Sequence, residues 1–185
     1  LLAAAAGAAL VGLAVAIAMV SRGGTASVLG LPVVGMAMVG LLIHAARGQA
    51  EAHFAVFAFL AACTVYRRWE SVVAGAAAIA VHHLVFNQLQ QWGWGPICFT
   101  EPGLMRVVEH ALYVVAEAAI LVMLTVQARQ AFQASEELTR IAEGIIGRDG
   151  SIDFTVAHRA ASAGPTQRLQ QALHHVEKAL AEVKL

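Results

Sequence analysis

Charge is scarce in this sequence: Asp, Glu, Lys and Arg supply only 13% of its 185 residues, and aromatic side chains only 6%. Soluble domains carry about 25% charged residues, so the polar coat of an ordinary water-soluble protein is missing. Neither sign is in excess, because 12 basic residues balance 12 acidic ones and leave a formal net charge of zero. No electrostatic footprint for nucleic acid follows, and nucleic acid is not an expected partner. Cysteine is nearly absent, with Cys63 in an apolar run and Cys98 in a loop. Two such residues form neither a disulfide framework nor a zinc-type cysteine pair, and both are expected to be free. No nucleophile with a partnering base, glycine-rich phosphate loop or catalytic dyad stands out, so enzymatic turnover is not expected. The stretch from Leu1 to Val20 has no initiator Met and no basic n-region. It reads as a membrane span of a longer protein and not as a signal peptide.

What is abundant is apolar: 59% of residues are hydrophobic and the mean hydropathy is +0.68. A bilayer core of about 30 Å takes roughly 20 apolar residues per helix. Five stretches meet or approach that length: Leu1 to Val20, Val28 to Ala46, Ala50 to Tyr66, Val72 to Leu89 and Leu104 to Val126, the third being the shortest. The expected fold is therefore all-α, a polytopic transmembrane bundle over 1–127, packed closely through its many Ala and Gly residues and solvated by membrane lipid. Arg22, Arg67, Arg68, Arg129, Arg140 and Arg148 place their ends on the cytoplasmic side, with Arg47 and Arg106 opposing. A C-terminal end inside and five spans leave Leu1 outside, from which at least one further N-terminal span is inferred.

After Val126 the chain turns charged and amphipathic. Ala131, Ala134, Leu138, Ile141 and Ile145 recur at three- and four-residue steps, as do Leu169, Leu173, Val176, Leu180 and Val183. Such seams predict two packing helices over 128–185 around a polar connector from Gly147 to Pro165, and point to a parallel homodimer that relays movement.

The chemistry lies inside the spans. Counted at 1.5 Å per residue, His44, His53, His82 and His110 each lie about 20 to 24 Å from the cytoplasmic end of their helices, so four helices bring imidazole to one level near the outer face. Glu51, Glu109 and Glu117 accompany them, and His83 adjoins His82. Helical spacing puts His110, Tyr113 and Glu117 on one face, and His83, Asn87 and Gln90 on another. Adjacent residues point about 100° apart, so His82 and His83 cannot both address one point. An ionisable group costs about 2.5 to 3.5 kcal/mol to insert at a helix centre. Several at one depth mark a functional site. Imidazole with carboxylate and no thiolate suits copper(II), zinc or iron, with ligands drawn from His44, Glu51, His53, His82, His83, Glu109, His110 and Glu117. The same histidines on facing helices could instead hold a b-type haem as a redox or electron-transfer group. The loop from Gln90 to Gly103, with Trp92 and Trp94, is placed to cap the site or to form an interfacial aromatic belt.

The run Ile43-His44, Glu51-Ala52-His53-Phe54, Tyr66-Arg67-Arg68-Trp69, the segment from Ala80 to Gln90 around His82-His83, and His110 to Glu117 together resemble a multi-pass module. That module heads some bacterial methyl-accepting chemotaxis proteins and diguanylate cyclases. The resemblance covers about Leu41 to Val126. The tail from Arg129 is similar to a HAMP-type relay, although its first helix has no Pro and its second no Asp-Glu-x-Gly opening. The resemblance implies an inner-membrane sensory module of a chemoreceptor-like signal-transduction protein, with a downstream cytoplasmic signalling domain as partner.

Overall fold

A computed structural model describes residues 1–145 and 165–183. Among the described residues there are six α-helices and no strand: α1 Leu2–Ser21, α2 Thr25–Ala45, α3 Ala50–Cys63, α4 Trp69–Gln91, α5 Leu104–Ile145 and α6 Pro165–Val183. The chain divides into two compact units, Leu1–Gln127 and Ala128–Leu185. Four helices are long and apolar enough to cross a membrane, namely α1, α2, α4 and α5. The third expected span is shorter, an α-helix of 14 residues continued by a 3₁₀ turn, Thr64–Tyr66. At 1.5 Å per residue its α-helical part rises only about 21 Å.

Left-handed residues make the breaks. Arg22 (φ 42°) with Gly23 ends α1, Arg47 (φ 55°) with Gly48 follows α2, and Arg67 (φ 51°) closes the 3₁₀ turn. The next helix opens on an oxygen-rich knot, where the buried Ser71 hydroxyl donates to the carbonyls of Cys63 at 2.8 Å and Arg68 at 2.7 Å. Beside it, Arg68 pairs with Glu70 at 2.9 Å. The guanidinium is thereby held charged to higher pH than usual.

In the first unit α2 is central, packing against α1, α3 and α4, while α3 also packs against α4. Small residues set these approaches. A Cβ on Gly35 would overlap the Phe59 ring of α3, and one on Gly30 would press on Ile17 of α1 at 3.2 Å. Phe59 is thus a packing residue, and such close approach is what helices in lipid associate through. Met36, Ile43, Val56, Leu60, Ile79 and Val114 form the main core. A second, smaller core joins Cys98 and Phe99 of the loop between α4 and α5 to Val107 of α5. Two residues of that loop are thus buried, while Trp92 and Trp94 are exposed.

The apolar stretch that ends at Val126 and the first expected seam form one continuous helix, α5, which runs to Ile145. In the second unit Ile141 of that seam is buried. Helix α6 covers the second seam, and the connector residues 146–164 lie outside the described residues.

Candidate metal centre

Three backbone carbonyls prepare the site. His53 on α3, His83 on α4 and His110 on α5 each place Nδ1 against the carbonyl four residues earlier, Gln49 at 3.0 Å, Ile79 at 2.9 Å and Arg106 at 2.8 Å. A carbonyl only accepts, so Nδ1 carries the hydrogen and Nε2 keeps its lone pair. A metal-ligating histidine needs this arrangement, with one ring nitrogen donating to a fixed acceptor and the other free to bind. The three rings then meet. Centroids of His53 and His83 are 5.4 Å apart, His53 and His110 5.1 Å, and His83 and His110 5.7 Å. The Phe99 ring stacks on His53 at 5.6 Å and lies 4.9 Å from His110.

Within this cluster, His53, His83 and Cys98 each offer one ligand atom, and the three atoms lie within 4.8 Å of one another. All three residues are buried, and the Nε2 of His53 has no hydrogen-bond partner. A buried lone pair without a donor costs about 1 to 3 kcal/mol, which a cation at this point would offset. The group could hold a metal ion, and its donor chemistry fits one: two imidazoles and a thiol suit zinc or copper.

Cys98 is the residue that the sequence concealed. A donor set of imidazole and carboxylate was expected, yet here the third donor is a sulfur carried in by a loop. Its only signal was its position between Gln90 and Gly103, beside polar residues at helical spacing. Those residues prove to be the clamp. The Gln90 side chain accepts from the amides of Cys98 at 2.8 Å and Phe99 at 3.1 Å, and donates to the Phe99 carbonyl at 2.6 Å. One turn back, Asn87 Oδ1 accepts from the Gly103 amide at 2.8 Å. Burial pushes the Cys98 thiol up to about 12, so without a metal it is held as SH.

The other expected ligands fall elsewhere. His82 touches the cluster edge-on, 5.4 Å from His83, but its ring packs 4.2 Å from Phe86 and its two nitrogens are buried without partners. His44 uses Nδ1 to accept the Ile97 amide at 3.0 Å. That nitrogen's lone pair is taken, and the neutral ring carries its hydrogen on Nε2. Glu51 and Glu109 are exposed, at helix positions that add no atom to the three-ligand group. Glu117 is half-buried, with Oε2 unpartnered. Tyr113 is 68% exposed and does not continue the polar stripe of His110 and Glu117.

Fold and site together define an all-helical bundle whose long apolar helices fit a membrane protein, with a buried His/Cys group able to hold a metal. No protein-family model, curated protein or solved structure matches the chain.

Proposed function

We propose that the chain is the sensory module of a bacterial inner-membrane signal-transduction receptor, one that binds a transition metal or metal cofactor and relays its state to a cytoplasmic output. The observation that carries this reading is the convergence of His53, His83 and Cys98, three buried ligands from two helices and one loop. His110, whose ring lies 5.1 Å from His53 and 5.7 Å from His83, closes the site on the α5 side. Of the metals, copper or zinc suits the thiol best. Helix α3 is then a short fifth membrane segment, shielded by α2 and α4, which it packs against.

Relay follows from α5, which carries His110 and extends unbroken to Ile145. A metal bound more tightly in one placement of His110 beside His53 and His83 shifts the population toward that placement. The basic ends at Arg67, Arg68 and Arg129 favour a cytoplasmic output side, and the seam spacing along the last two helices supports a homodimer as the active species. A carboxylate such as Glu117 tunes the site from one helical layer below.

A second reading, a b-type haem protein, has one observation in its favour. Between α4 and α5 lies an apolar cleft of about 500 Å³, walled by Ala76, Ala80, Ala111 and Ala118, with His83 and His110 lining it. Elemental analysis and an absorption spectrum of protein purified without added metal decide between the two. Stoichiometric copper or zinc without a Soret band supports the metal sensor, a Soret band supports haem, and neither metal nor haem overturns both.

A further inference from the structure

The charges around His53, His83 and Cys98 limit which ion the group takes. Both imidazoles are neutral, each with its Nδ1 hydrogen on a helix carbonyl, so Cys98 is the one ligand of the three that becomes an anion when a metal binds. Among the described residues no aspartate, glutamate, lysine or arginine side chain is buried. Glu51, Glu101, Arg106 and Glu109, which lie near the ligands or His110 in sequence, are all exposed. Glu117 is half-buried but stands seven residues beyond His110, about 10 Å along α5.

The valence of the ion then decides the charge left behind. A monovalent ion takes the place of the thiol proton, the S–H bond breaking as the S–metal bond forms and the proton leaving to solvent, and the buried group stays neutral. A divalent ion releases the same proton and leaves one positive charge in a surrounding of carbon. The Phe99 ring lies 5.6 Å from His53, 5.3 Å from His83 and 4.9 Å from His110, and Val107 is buried in one cluster with Cys98 and Phe99. An uncompensated charge there is strongly disfavoured. Coordination points the same way. Three ligand atoms converge, whereas zinc takes four, with water filling a position the protein leaves open. A soft monovalent ion is satisfied by a thiolate and two imidazoles.

We infer that this group is a cuprous site, taking Cu(I) through Cys98 Sγ and the Nε2 atoms of His53 and His83 in preference to divalent zinc. Such a site rests on the metal centre proposed above and narrows it to one ion in one oxidation state.

The test uses the full chain in lipid nanodiscs, titrated with Cu(I) kept reduced by ascorbate and buffered by bicinchoninate, and separately with Zn(II) buffered by a chelating dye. One Cu(I) per chain is expected, bound about 100-fold more tightly than Zn(II) or better. Cys98→Ser should weaken Cu(I) by about 100-fold or more, which sets the site apart from the buried Cys63. His110→Glu puts a carboxylate beside the group, supplying the second negative charge that a divalent ion lacks. It should raise Zn(II) affinity about tenfold or more with Cu(I) nearly unchanged, while His110→Gln, of the same length and uncharged, should leave the preference as it was. Helical circular dichroism is read in parallel, and if a variant loses helicity the wild-type comparison of the two ions decides. Zinc bound as tightly as Cu(I), Cu(I) affinity kept in Cys98→Ser, or equal zinc affinity in the two folded His110 variants overturns the cuprous assignment alone. Binding of neither ion overturns the metal centre and the assignment together.

Discussion

His53 and His83 are held by the same device. Each ring places Nδ1 on the carbonyl four residues earlier in its own helix, at 3.0 and 2.9 Å, and the two rings meet 5.4 Å apart. Two helices thus present matched Nε2 lone pairs without any side-chain partner to orient them. This is cheap to build, since the helix supplies the acceptor, but it leaves the buried His53 Nε2 without a partner. A hydrogen-bond donor or a metal ion at that point relieves the cost.

Replacing either ring should therefore remove the site. His53→Ala and His83→Ala are expected to lower metal affinity by at least 100-fold, since each deletes one of three converging ligands. His110→Ala should keep the metal and shift its spectrum, because His110 borders the three-ligand group without belonging to it. Metal content per chain after gel filtration, with absorption spectra, measures both. Equal loss in all three variants would make His110 a full ligand, and no loss in His53→Ala would remove the centre.

Cys98 gives the site a pH signature with a definite sign. Its thiol is pushed up to about 12 by burial, yet a metal binds the thiolate, so binding must release the proton. Affinity should rise about tenfold per pH unit from this group alone between pH 6 and 8, and dye-reported proton release should accompany metal addition. Cys98→Ala should flatten that slope. Without metal the linkage runs the other way. A thiol held neutral in the folded state stabilises it below its ordinary value near 9, and that contribution is lost as pH climbs from 9 toward 12. Alkaline melting should therefore be steeper in the metal-free protein than in Cys98→Ala.

The clamp behind Cys98 is testable apart from the ligands. Gln90→Ala strands the amides of Cys98 and Phe99 and the Phe99 carbonyl, each a loss of about 1 to 3 kcal/mol if left unmet. The loop should loosen, with amide exchange at Cys98 and Phe99 accelerating and metal affinity falling by about 10- to 100-fold, the usual range for residues that orient ligands. Gln90→Glu keeps the two acceptor bonds and loses the donor to Phe99, so it should fall between wild type and Gln90→Ala.

These residues also show what the sequence can disclose. The apolar lengths of α1, α2 and α4 and the break at Arg22-Gly23 are one-dimensional properties, and they are legible. The meeting of His53, His83 and His110 is nearly so, because helical rise converts residue number into depth. Cys98 was not legible, since its place depends on a loop folding back under Gln90, a contact that no periodicity encodes. The separation of His82 from His83 was legible in the 100° step between neighbours, but which of the two joins the cluster was not. The course of α5 was legible for a different reason: polarity changes at Val126, but the seam from Ala131 to Ile145 keeps the helical spacing, and one helix runs through both.

Gly48 ties α2 to the metal loop through backbone alone. It sits at φ +72°, and a Cβ there would lie 2.5 to 2.8 Å from the backbone carbon and nitrogen atoms of Phe99. Any side chain must therefore push Phe99 away, and Cys98 with it, while also adopting a left-handed backbone that costs an L-residue about 1 kcal/mol or more. Gly48→Ala should lower thermal stability and reduce metal affinity together, even though Gly48 offers no ligand atom. The metal loss should exceed that of Gly93→Ala, whose φ of +73° imposes the same backbone strain but whose Cβ meets nothing within 4 Å. Comparing the two variants by melting temperature and metal titration separates strain from displacement. Equal metal affinity in both would show that the approach of Gly48 to Phe99 does not position Cys98.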